Sequence, residues 1–220
     1  GRCVEIRSEH VEAVMQRTSD NQSKHAAQVA ADINADVLIY GQILTDSTPP
    51  QLQPKFYISQ RLIGAEELLG SNAFGRPIDI QMPLADNPDN RARLQTEVVP
   101  RFEALTEFVY GLIFMKADLP LIAMEHFQAA DDIQAWQATQ GKEILYLWMG
   151  TAISKNDAVR SPCYFTGEQP LDPLRCALLA YEQAIDANPQ FGRPYIGIGN
   201  LLFNFNTRGS AVNCSYYDQA

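Results

Sequence analysis

The chain has 220 residues, and at a usual domain size of about 100 to 200 residues it holds one large domain or two small ones. With 46% hydrophobic, 10% aromatic and 20% charged residues it is too apolar for a disordered segment and too evenly mixed for a fibrous one. Seventeen Lys and Arg against 26 Asp and Glu give a net charge of −9, which argues against nucleic acid and acidic membrane surfaces as partners, since both require clustered positive charge.

No apolar run approaches the roughly 20 residues that cross a bilayer, the longest being Phe108 to Met115, so no membrane contact is expected. The chain opens at Gly1 without a Met and closes on Ser215-Tyr-Tyr-Asp-Gln-Ala220, which reads as the opening of a helix. It therefore reads as a piece of a longer, bacterial protein, with compartment and oligomeric state left open. Cys3, Cys163, Cys176 and Cys214 form no CxxC and no Cys/His pairing, so neither zinc nor any other cofactor is expected. An even count permits a disulfide such as Cys163 to Cys176, although cysteines at this frequency are more often buried thiols.

Val4-Glu-Ile6 offers a short strand and Glu9 to Met15 a short helix. Ala26, Val29, Ala30 and Ile33 then follow the i, i+3, i+4, i+7 spacing of an amphipathic helix, opened by Ser19 with Gln22 three residues on and stopped by Asn34 in the left-handed conformation. Asp36 to Leu44 is an apolar run rich in β-branched and aromatic residues, of the length of an interior strand. A loop carrying Pro49, Pro50 and Pro54 leads to a returning strand over Lys55 to Leu62, and Ile78 to Met82 offers a third. These elements make a small α/β domain over residues 1–86, incomplete at its N-terminus. Leu84 to Asn90 is polar and turn-forming, so the boundary falls there, and residues 87–220 are helical in pattern.

The helical part repeats itself. Gly111, Gly150 and Gly199 each stand in an apolar helical context, and Ala123, Phe127 and Ala130 are matched by Ala177, Tyr181, Ala184 and Pro189. These residues resemble the tetratricopeptide repeat, whose unit of about 34 residues carries an L-G-x2-Y group, then A-x3-F, then a helix-ending Pro. The resemblance covers residues 104–205. Small residues there let the two helices of a hairpin approach, while Phe127 and Tyr181 fill the gap to the next hairpin. Gly150 and Ala177 lie further apart than the pattern allows, so residues 155–172 loop out, and 206–214 form a second insertion. The fold class expected is α+β, a small α/β domain followed by an all-α solenoid of helical hairpins.

Chemistry is sparse. His10, His25 and His126 form no HxxxH or HExxH, no Ser lies in a GxSxG turn, and His126 reads as a partly exposed or hydrogen-bonded helix residue. Glu66-Glu67, Asp131-Asp132, Asp86 and Asp89 read as solvated-surface or helix-start charges, so no catalytic residue and no metal ligand is assigned. The resemblance implies instead a concave face lined by the first helices. It runs from Leu105, Phe108, Leu112 and Met115 through Ile144, Leu147, Thr151 and Ser154 to Arg193, Ile196, Asn200 and Phe203, and its apolar third is expected to be covered. By the resemblance, Asn200 clamps a peptide amide and Arg193 takes a carboxylate, with Leu147, Thr151, Lys155 and Ile196 beside them. The expected role is a non-catalytic protein or peptide interaction module. The alternatives are a small-ligand sensor or enzyme using the α/β domain, and a structural spacer.

Overall fold

The computed structural model describes residues 19–61, 69–81, 87–133, 136, 141–155, 163–165 and 172–207. The expected strand at 4–6 and helix at 9–15, together with Leu62, Glu66, Glu67, Asp86, Cys3, Cys214 and most of both insertions, lie outside the described residues. Among the described residues the fold is mixed, with a four-stranded antiparallel sheet and six helices. It divides into two compact units, residues up to 73 with 77–90, and residues 74–76 with 91 onward.

In the first unit, α1 (Ser19–Asp32) ends where Asn34 turns left-handed at φ 61°, letting Ala35 N–H reach back to the Ala30 carbonyl at 2.8 Å. Its small-residue face, Ala26 and Ala30, is buried, and Ser71 Oγ donates to Ser23 Oγ at 3.1 Å. β1 (Val37–Leu44), β2 (Gln51–Ile58), β3 (Gly70–Ala73) and β4 (Ile78–Asp79) form the sheet. β2 pairs with β1 on one side and with β3 and β4 on the other, so β2, not β1, is the interior strand. The apolar run of β1 could not discriminate the two positions; Phe56 and Ile58 of β2 are fully buried, whereas Ile39 of β1 is 38% exposed.

Pro54, expected in a loop, lies inside β2 opposite Gly41. Ser59 N–H donates to the Asp36 carbonyl, which fixes the alternation and puts the Gly41–Pro54 pair at a position without cross-strand hydrogen bonds. On the other side β3 ends opposite Lys55 and β4 begins opposite Leu52, so the missing N–H of Pro54 falls in the gap between them. β3, Gly-Ser-Asn-Ala, contains no strong strand former and was not expected. β4 is shorter than the expected Ile78 to Met82 because Gln81 turns away to exchange hydrogen bonds with the buried Asn90 side chain.

The helices are α2 (Pro88–Lys116), α3 (Pro120–Asp132), α4 (Lys142–Ser154), α5 (Pro173–Ala187) and α6 (Arg193–Thr207). α2 is 29 residues long and begins well before Ala104, running through Pro100. It turns tightly into α3: Asp118 is left-handed at φ 58°, its N–H reaches Met115 O, the Leu119 N–H reaches Phe114 O, and Pro120 opens α3 without needing a donor. Asp172 caps α5 by accepting from Leu174 N–H at 3.2 Å, with Pro173 at the first helical position.

Phe74, Phe108, Phe127 and Trp136, all fully buried, form a chain of ring contacts at centroid distances of 5.2 to 5.7 Å. The Arg101 guanidinium is buried against the same segment, donating to the carbonyls of Phe74 at 3.2 Å and Arg76 at 2.7 Å and meeting Glu97 at 3.4 Å. Cys163 and Cys176 are joined in a disulfide with Cα atoms 5.6 Å apart, which settles the pairing the cysteine count left open.

Candidate partner-binding face

The geometry of this region is set by Tyr181 on α5, which packs against both α4 and α6. Gly150 on α4 and Gly197 on α6 supply no side chain there, and a Cβ on either would stand 2.6 Å from the Tyr181 ring. Thr151 Oγ1 donates to the Leu147 carbonyl at 2.9 Å, leaving its lone pairs for the Tyr181 hydroxyl at 3.4 Å. Gly199, the position matched by the sequence pattern, has nothing within 4 Å of its Cβ direction; Gly197 takes the packing role instead. The arrangement recurs between α2 and α3, with Gly111 under Phe127, where a Cβ would come 2.2 Å from the ring.

The expected site residues separate into two groups. Leu147 is not part of an open face: it is 3% exposed and belongs to a core cluster with Ala177, Tyr181 and Leu201. The polar residue one turn on, Thr151, is half-buried in the contact just described, and Lys155 is exposed as the C-cap of α4. Arg193, Ile196 and Asn200 are exposed on α6 at spacings of three and four, in line with Phe203; Ile196 is 57% and Phe203 68% exposed. Ile198 and Leu201 turn inward, so α6 is apolar on both sides. Leu105, Phe108, Leu112, Met115 and Ile144 are buried, so of the residues expected on one face those of α6 are exposed and those of α2 are not.

Two clusters were not assembled from the sequence, although His126 is hydrogen-bonded and partly exposed as expected. Glu107 Oε2 accepts from His126 Nδ1 at 2.7 Å while the Phe114 ring stacks on the imidazole at 5.1 Å. At the C-terminal end of α3, Lys142 Nζ lies 2.6 Å from Asp131 Oδ1, and the Tyr164 hydroxyl is shared between Asp131 Oδ2 at 3.1 Å and Asp132 Oδ1 at 2.9 Å. Burial and the two carboxylates hold the Tyr164 hydroxyl far above the usual tyrosine range. Burial alone would pull Lys142 down, but its hydrogen bond to Asp131 and that group's charge outweigh it and raise the ammonium. Burial and Asp131 likewise raise Tyr146, whose ring lies 5.5 Å below Lys142. The available signal was the pair of acidic residues at a helix C-terminus, where the helix dipole is itself unfavourable and calls for a cation or a donor.

On the sheet, Tyr40 and Lys55 are cross-strand neighbours, and burial raises the tyrosine and lowers the lysine. Among the described residues no three His, Cys, Asp or Glu side chains are grouped so as to hold a metal ion, and no helix is long and apolar enough to cross a membrane. Compared with known proteins, the chain matches no family model, no curated protein and no solved structure.

Proposed function

We propose that this chain is a non-catalytic interaction module of tetratricopeptide-like helical hairpins, which captures an extended peptide or a helix of a partner protein on the exposed side of α6. The observation that carries the reading is the repeated glycine–aromatic lock, Gly111 with Phe127 and Gly150 with Tyr181, the close approach that the repeat's small and aromatic positions exist to make. Supporting it, Ile196 and Phe203 give the apolar anchors, while Arg193 and Asn200 on the same helix give polar groups suited to a carboxylate and a backbone amide. Leu147 is left out of the docking surface because it is needed in the core; Thr151 and Lys155 are its α4 margin.

The test is panning of the immobilised chain against a displayed library of random peptides. Peptides enriched on the wild type should bind Ile196→Ala, Asn200→Ala and Arg193→Ala each about tenfold more weakly, the effect of truncating an anchor in a small interface, with melting temperature unchanged. Unchanged binding by all three places the site elsewhere, and a library that yields no enriched sequence overturns the reading.

A further inference from the structure

Three consecutive residues of the inserted segment meet three different helices. Cys163 is bonded to Cys176 in the first turn of α5, the Tyr164 hydroxyl donates to Asp131 and Asp132 at the end of α3, and the Phe165 ring stands edge-on to Tyr146 of α4 at 6.1 Å. Both cysteines are buried, at 2% and 6% exposure. Two of the three attachments are non-covalent, and they fall on the two residues that follow Cys163. In the bonded form they hold the segment where the disulfide requires it.

We propose that the Asp131–Asp132 end of α3 is a docking point for Tyr164 that delivers Cys163 to Cys176, making the pair a built oxidation site that is closed by thiol–disulfide exchange in an oxidising compartment. The oxidant is a small or protein disulfide, RSSR. One cysteine thiolate attacks it, forming a mixed disulfide and releasing one RSH; the second thiolate attacks the protein sulfur of that mixed disulfide and releases the other. Two thiol protons and two electrons leave the protein, and one S–S bond forms in it as another is broken in the oxidant. Tyr164 is a positioning residue in this scheme. Docking and bonding draw on one placement of the segment, so each favours the other by the same factor. Lys142 Nζ, 2.6 Å from Asp131 Oδ1, holds that carboxylate in place beside the Tyr164 hydroxyl.

The test uses the full 220-residue chain with Cys3→Ser and Cys214→Ser, equilibrated across ratios of reduced to oxidised glutathione, acid-quenched, alkylated and read by mass spectrometry. The pair should be bridged under oxidising ratios. Tyr164→Phe should lower the equilibrium constant for bridging about tenfold in native buffer, the worth of a hydrogen bond to a charged acceptor, and leave it unchanged in concentrated guanidinium, where no docking exists. Asp132→Asn, which keeps the shape of the site, should lose part of the same factor, and it decides the matter if Tyr164→Phe does not fold. Equal constants for all three proteins in native buffer would overturn the docking role. A pair that stays as two thiols in folded protein under oxidising glutathione would overturn the oxidation site itself.

Discussion

The backbone of Gly150 lies so close to the ring of Tyr181 that a single methyl group on the glycine would stand 2.6 Å from Cε1. Ordinary carbon contacts begin near 3.5 Å, so the glycine cannot gain a side chain unless the ring or a helix moves. Gly111 and Phe127 repeat the relation more tightly, at 2.2 Å.

Gly111→Ala and Gly150→Ala should each destabilise the fold by about 1–3 kcal/mol, overpacking outweighing the gain in helix propensity. Gly111→Ala should be the worse of the two, because Phe127 is fully buried and has nowhere to turn. Gly199→Ala, with open space at its Cβ, should stabilise by up to about 1 kcal/mol. Urea unfolding of the three variants measures the contrast, and equal effects at positions 150 and 199 would contradict it.

Arg101 satisfies two backbone carbonyls from a side chain only 3% exposed. Arg101→Met removes the donor from which the carbonyls of Phe74 and Arg76 both accept, at an expected cost of about 2–4 kcal/mol. Arg101→Lys should recover less than half: Nη1 alone serves both carbonyls while Nη2 meets Glu97, and a lysine has no second nitrogen for Glu97 and carries a more strongly hydrated charge into a buried place. Equilibrium denaturation reads both values.

The Cys163–Cys176 bridge closes a loop with a sequence separation of 13, for which the loss of denatured-state freedom is worth about 3 kcal/mol. The double substitution Cys163→Ala with Cys176→Ala should lower stability by that order, and a reducing agent should lower the wild type by a similar amount while leaving the double variant unmoved. Thermal denaturation with and without dithiothreitol distinguishes the two.

Alkaline pH should weaken the α3–α4 junction. Tyr164, Tyr146 and Lys142 all hold their protons more tightly when folded than their unfolded counterparts, which titrate near pH 10. The stability they contribute is fully present below about pH 10 and is lost as pH rises beyond it, because there the unfolded chain binds fewer protons than the folded one. Denaturation at pH 8 and above pH 10 should show a smaller alkaline loss for Tyr164→Phe than for the wild type; equal losses would remove Tyr164 from the account.

The helix over Ala26 to Ile33 and its stop at Asn34 were legible because periodicity and a residue tolerant of positive φ are both local facts, and α1 ends as they indicate. The first strand was equally legible in extent, but not in its place in the sheet, since an apolar run reads alike at an edge and in the middle. β3 carried no signal, being held by pairing with β2 rather than by its own residues. On the candidate face, Arg193, Ile196 and Asn200 were legible as one line on a helix, whereas the inward turn of Leu147 was not. Spacing names the residues that share a face, and only the position of α6 and α5 decides whether that face is covered. The partnership of Tyr164 with Asp131 spans 33 residues and an inserted loop, beyond the reach of any local pattern.

Pro54 leaves the far margin of the sheet in two separate pieces, β3 on one flank of it and β4 on the other. Each short strand answers to its own few hydrogen bonds, so one can peel from β2 while its neighbour stays zipped. Amide protons of Gly70–Ala73 and of Ile78–Asp79 are thus set to exchange with solvent on independent clocks, although they belong to the same margin.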